Sequence, residues 1–243
     1  MNPAWPVAAT SCAEAQATEV LALSRRLLRR LAWPVRANGT AASVHFYFAL
    51  LYHCSMVRNV EAAAGSHEPE TLFRLTVEFY RLYFESVVRR ICGDAHVRRT
   101  PLWDAYFDRA EAWDRHRLWV GLPLLLDAAA HAHVEGDLAE AIVAVCDSRR
   151  SLDVIGEELF GPGGSVLYAR VMADFAHEIS TSTLLPPKPF AAWLFRQSSF
   201  VLCAPMVRRL QTWRRGAVEA ASRALASPSA NARGDLAVVE PAT

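Results

Sequence analysis

Between Leu122 and Val145 the chain is Leu, Ala, Val and Ile, apart from Pro123, Gly136 and the ionisable set Asp127, His131, His133, Glu135, Asp137 and Glu140. A helix that is apolar almost all round has to be buried on several sides. The segment therefore demands a shell of other elements around it, and this demand constrains the fold more than any other stretch. It also concentrates titratable chemistry. Helical spacing sets two acid–histidine series four residues apart, Asp127/His131/Glu135 and His133/Asp137.

At roughly 100° per residue with His131 at zero, Glu135 and Asp127 fall near roughly 40° and −40°, in the arc of Leu124, Leu138, Ile142 and Val145. His133 and Asp137 lie near roughly 200° and 240°, beside Leu126 and Ala144. The wheel thus expects the first series to face the most apolar side, with both series at least partly enclosed.

The rest of the chain supplies the shell. From Ala13 to Leu31, Val20, Leu23, Leu27, Leu28 and Leu31 recur at three- and four-residue steps while Arg25, Arg26, Arg29 and Arg30 fall elsewhere. This is an amphipathic helix, expected to stop at Trp33-Pro34. Asn38-Gly39-Thr40 reads as a turn and N-cap before a helix reaching Ala64, with one stripe through Phe46, Tyr47, Leu50, Leu51, Cys54 and Val57 and another through His45, Ala49, Tyr52, His53 and Met56. A third helix, about 70–92, turns Leu72, Leu75, Phe79, Leu82, Tyr83 and Val87 inward and is closed by Gly93. Pro101 opens a fourth through Trp103, Tyr106, Phe107, Ala110 and Trp113, after a polar connection containing Arg98 and Arg99. Arg149 to Phe160 is a shorter helix ended by Gly161-Pro-Gly-Gly164, and a further one runs from Ser165 to about Ser180. Leu184 to Pro189 is expected to be an extended strap, because its prolines remove donors. Two helical stretches divided at Pro205 complete the set. No strand alternation and no internal repeat occurs.

The expectation is an all-α, single-domain bundle of roughly eight helices around a buried central helix at about 122–146. Residues 1–12 read as a flexible lead-in, 13–226 as one domain and 227–243 as a disordered tail. A length of 243 residues and 52% hydrophobic content suit one large core. A formal net charge of +1 provides no field to recruit nucleic acid or an anionic membrane. Lys188 is the only Lys, and no uninterrupted apolar run reaches the roughly 20 residues of a membrane span. Met1 to Ala15 has no basic and apolar leader pattern. Cys12, Cys54, Cys92, Cys146 and Cys203 show no C-x-x-C spacing and read as buried reduced thiols, so a cytoplasmic location is expected. Nothing in the sequence speaks to oligomeric state.

Buried carboxylates cost several kcal/mol unless paired, so His131/Glu135 and His133/Asp137 are expected to be satisfied pairs. They have three chemical readings. Each is a structural link in a ligand-binding or scaffold protein, or an acid/base pair in an enzyme, or part of a metal site. His-x₃-Asp and His-x₃-Glu set two ligands on one face, so zinc or another divalent metal at His131, His133, Glu135 and Asp137 would make a hydrolase; His45, His53 and His177 are further donors. That spacing resembles helical zinc phospholipases and nucleases. Asp174/His177/Glu178 and Asp114/His116 read as a solvated face and a helix-end pair. No nucleophile elbow, P-loop or dinucleotide fingerprint occurs.

The residues Ala129 to Leu138 resemble the signature Gly-Met-Asn-Ala-His-Ile-Asn-x-Asp-Leu of an uncharacterised bacterial all-helical domain family. Ala132, His133, Asp137 and Leu138 match, and His131 and Glu135 stand where the family has Asn. Asn38-Gly39, Tyr47, the Leu75/Phe79/Tyr83 stripe, Trp103 and Trp213 to Ala217 are similar to further family positions, so the likeness covers about residues 25–220. It implies an all-α domain and names no reaction. The leading expectation is a small-molecule enzyme of bacterial, specialised metabolism that performs cofactor-free cyclisation, dehydration or isomerisation on an apolar substrate. His133 and Asp137 would be base and orienter, and His131 and Glu135 a second acid/base pair. Tyr47, Tyr83, His45 and Tyr52 would contact the substrate in a pocket between helices.

Overall fold

The computed structural model describes residues 12–38, 43–116, 122–181 and 189–227, all but a few of them helical. The helices are α1 (Ala13–Asn38), α2 (Val44–Ala64), α3 (Pro69–Tyr83), α4 (Arg89–Ile91), α5 (Pro101–His116), α6 (Leu122–Gly136), α7 (Leu138–Val145), α8 (Arg149–Phe160), α9 (Pro162–Thr181) and α10 (Pro189–Ala226). A π-helical segment, Phe84–Val88, joins α3 to α4 without a break, and only Asp137 separates α6 from α7. As continuous rods, the described residues form eight, and none is a strand.

Periodicity accounts for most of these elements. On α1, Val20, Leu27 and Leu28 are buried, and the four arginines are exposed on the other side. Both stripes of α2 are largely buried, because α1, α3 and α9 all pack against it. Cys54 is buried on this helix, whereas Cys12 and Cys92 are exposed, contrary to the expectation of buried thiols. The α6–α7 rod packs against α2, α3, α5 and α10, and so is the centre of the bundle. Trp103, Tyr80, Tyr83, Tyr106, Phe46 and Phe175 are the largest wholly buried side chains, each contributing on the order of 2 kcal/mol by removal from water.

Polar contacts tie the rods together. Arg58 on α2 donates Nε and Nη2 to the two oxygens of Asp174 on α9, at 2.7 and 2.9 Å. Ser24 on α1 lies 2.7 Å from His53 Nδ1 on α2. Asp114 Oδ1 accepts from the Val44 amide at the start of α2, at 3.2 Å.

Several boundaries differ from expectation. Helix α1 continues through Trp33-Pro34 to Asn38, and α10 continues through Pro205 as one helix. A helical proline loses one hydrogen bond and crowds the preceding turn, a cost of about 3 kcal/mol that a long, docked helix absorbs. The N-cap residue of α2 is Ser43, not the Asn38-Gly39-Thr40 turn, of which residues 39–40 lie outside the described residues. The central rod is interrupted at Asp137, whose φ of −110° and ψ of −30° depart from helical values. Hydrogen bonding still crosses the interruption, from the Asp137 amide to His133 and from the Ala141 amide to Asp137. The strap, apart from Pro189 at the start of α10, and nearly all of the lead-in and tail lie outside the described residues.

The α8–α9 joint is tight. Pro162 to Gly164 form the first turn of α9 rather than a separating loop. A Cβ on Gly164 would sit 2.5 Å from the Leu159 carbonyl oxygen. Gly164→Ala is therefore expected to destabilise the protein by about 1–3 kcal/mol in urea unfolding. An unchanged midpoint would mean that the joint yields freely.

Candidate functional site

Helix α6 carries His133 and the interruption places Asp137 one turn on, so the pair meets across it. His133 Nδ1 is 2.8 Å from Asp137 Oδ2, and both side chains are buried. Trp103 on α5 donates its Nε1–H to the same oxygen at 3.0 Å. The other oxygen, Oδ1, receives Arg98 Nη1 at 2.5 Å. Arg98 Nη1 also reaches Ser86 Oγ in the π-helical segment at 3.1 Å, and its Nη2 reaches Glu140 at 2.7 Å. The Arg98 amide donates to the Glu85 carbonyl, which fixes the α4–α5 connection against the π turn. π turns often occur at functional positions; this one helps seat the cation that neutralises Asp137.

An ionised carboxylate that pairs with Arg98 and accepts from Trp103 is an acceptor toward His133 as well. The Nδ1–H donates, and Nε2 keeps its lone pair. Nε2 is buried and has no hydrogen-bond partner. The ring is clamped by aromatics. Phe79 stacks on it at 3.7 Å between centroids and 10° between planes, and Tyr52 meets it edge-on at 4.8 Å. Tyr83 and Trp103 follow at 5.9 and 6.0 Å. The hydroxyls of Tyr52 and Tyr83 are also buried without partners. Burial pulls the His133 pKa below the ordinary imidazole value; the bond to Asp137 opposes that shift without reversing it. His133 is thus a neutral, oriented imidazole near pH 7.

His133 forms part of the wall of a cavity of about 130 Å³ between α2, α3, α6, α7, α8, α9 and α10. Leu51, Leu72, Leu75, Phe79, Ile155 and Val171 make its wall mainly apolar, and Tyr52, Glu158, Tyr168 and Arg214 add polar groups. The volume is close to the roughly 150 Å³ of an engineered apolar cavity that admits benzene.

The other expected site residues lie elsewhere. His131 and Glu135, 2.5 Å apart, have side chains 35% and 49% exposed, so the series expected on the most apolar side is the more exposed one. The wheel placed Leu124 in that apolar arc, and Leu124 is 69% exposed. Which arc is covered depends on where α2, α3 and α5 dock, and they cover the His133 side. His131 instead stacks on Trp213 of α10 at 4.6 Å, and Asp127 pairs with Arg209 of α10 at 3.1 Å. This series is a docking seam for α10, outside the cavity. His45 lies 3.1 Å from the Tyr106 hydroxyl, and neither His45 nor Tyr47 lines the cavity. Tyr83 packs behind Tyr52, with centroids 4.3 Å apart. Among the described residues no group of three or more His, Cys, Asp or Glu side chains is placed to hold a metal ion.

Arg98, Trp103, Ser86 and Arg214 are the polar partners that sequence reading left unassigned. Arg214 had a legible signal. It sits four residues after Leu210 and three before Ala217, both buried, so a cation occupies the inward stripe of α10. Arg98 had none, since its partner lies 39 positions away.

Among the described residues no helix is long and apolar enough to cross a membrane. A model of a family of unknown function, DUF5995, matches residues 19–158, more than half of the chain. No curated protein and no solved structure matches it.

Proposed function

The chain belongs to this family of unknown function, and from its site we propose that it is a small-molecule enzyme in which His133 acts as general base on a mainly apolar substrate held in the inter-helix cavity. One observation carries the reading. His133 is anchored through Nδ1 by a carboxylate that is itself anchored by Arg98 and Trp103, while Nε2 is left without a partner in a cavity-lining residue. An imidazole that is neutral, oriented and flanked by apolar walls is suited to accept a proton from a substrate O–H or C–H. Isomerisation, dehydration and cyclisation are the reaction types that need such a step and no cofactor. The Tyr52 hydroxyl, buried without a partner in a cavity-lining residue, would donate to oxygen as charge develops on it. Apolar substrate, cytoplasmic setting and bacterial metabolism belong to the same proposal.

A purely binding role has one observation in its favour. The ion pair with Arg98 shares the charge of Asp137, which weakens its pull on the imidazole. A proton-transfer probe separates the two. In 5-nitrobenzisoxazole, a base removes the proton from C3 as the N–O bond breaks, and the electron pair ends on the phenolate of a coloured cyanophenol. The wild-type protein is expected to accelerate this above free imidazole at equal concentration. His133→Phe should lower the rate by about 100-fold or more. The wild-type rate should be flat near pH 7 and fall in acid, with an apparent pKa below the ordinary imidazole value because burial lowers it. Equal rates for wild type and His133→Phe would remove the catalytic reading and leave binding.

A further inference from the structure

The cavity lined by His133 also carries a charged group. Helix α10, which also lines this cavity, contributes Arg214, whose Nη1 is buried and has no hydrogen-bond partner. Glu158 and Tyr168 share the wall and act on the guanidinium through their charge. Burial pulls the Arg214 pKa down to about 10, well short of neutral, so the group remains charged. A guanidinium with a buried, unsatisfied N–H is costly, and folded proteins normally satisfy such a group with an anion. The charge that the rest of the wall can carry near neutral pH bears on this cation. Among the described residues Glu158 is the single carboxylate of the wall, and His133 is neutral.

We propose that the molecule taken by this cavity carries a carboxylate, received by Arg214, on an apolar body that extends to His133. The guanidinium fork matches the two oxygens of a carboxylate, which a point cation would not. The apolar walls take a ring or short aliphatic chain, and Nε2 of His133 faces a group of that body able to give up a proton. The substrate class is then a small aromatic or aliphatic carboxylic acid. This proposal rests on the cavity holding a small molecule, and it does not depend on His133 performing chemistry.

Isothermal titration with phenylacetate and its neutral isostere phenylacetamide tests it, with benzoate/benzamide and hexanoate/hexanamide as pairs of different size. Each acid that binds is expected to do so at least tenfold more tightly than its amide. Arg214→Met should abolish that preference, weakening acid binding far more than amide binding, and Arg214→Lys should retain part of it. Glu158→Gln, which removes the only carboxylate among the described residues of the wall, should widen the preference, and this variant decides the matter if Arg214→Met does not fold. Equal affinity of acid and amide in the wild type would overturn the inference, even if His133-dependent proton transfer from the benzisoxazole is observed. Binding of none of the six compounds would overturn it too. A strong acid preference without His133-dependent proton transfer would sustain it and sink the catalytic reading instead.

Discussion

Replacing Asp137 by Ala or Asn is expected to destabilise the protein by about 3–5 kcal/mol, the range for breaking a buried ion pair by removing one partner. Asp137 is fully buried and receives Arg98 on one oxygen and both Trp103 and His133 on the other. Alanine takes the shared acceptor from three donors and leaves the charged one only Ser86 and the half-exposed Glu140. Asparagine keeps the shape but must point its amide nitrogen either at the Arg98 guanidinium or at the two N–H donors, so one side is always donor against donor. Such a loss is a large fraction of the 5–15 kcal/mol that stabilises a typical domain. The Arg98→Met variant should be destabilised as well, and the two substitutions should be strongly non-additive, because the second finds the pair already broken. Urea unfolding of the two single variants and the double variant measures this. A cost below about 1 kcal/mol for Asp137→Asn would mean that the network contributes orientation only.

The second large effect is acid lability. Burial lowers the pKa of His45 to about 4, with the Arg90 charge adding to the shift. Burial also lowers those of His133 and His53. Each of these imidazoles is neutral in the fold and takes up a proton more readily in the unfolded chain, whose pKa is near 6.5. The unfolded state therefore binds more protons between the two values, and stability rises with pH in that window. The stability is fully present above about pH 6.5 and is lost as pH falls toward about 4. For His45 the loss is on the order of 3 kcal/mol. His45→Gln removes the titrating ring while keeping an acceptor for the Tyr106 hydroxyl. Its stability should fall less steeply between pH 6.5 and 4.5, by about 1.4 kcal/mol per pH unit. Identical slopes for wild type and variant would show that His45 titrates normally.

Much of the fold was legible because helices write themselves into local spacing. Gly93, at φ 72°, ends the α3–α4 rod where expected, Pro101 opens α5, and α8 has its expected bounds. The acid–histidine pairs at four-residue spacing were legible for the same reason, since both form their bonds within one turn. Pro34 and Pro205 were misread as stops because a proline's local penalty is visible in sequence, whereas the packing that outweighs it is not.

What the sequence determined by itself, then, is a set of helices, a central rod that had to be surrounded, and two candidate pairs upon it. Tertiary structure alone decided which pair is enclosed. Both arcs of the rod carry apolar residues, and the choice between them was made by helices docking from elsewhere in the chain. The same docking brought Arg98 and Trp103 to Asp137, Phe79 onto His133 and Arg214 into the cavity wall. Periodicity reports only neighbours three or four residues apart, while a buried charge is satisfied by whichever partner the packed core brings within reach.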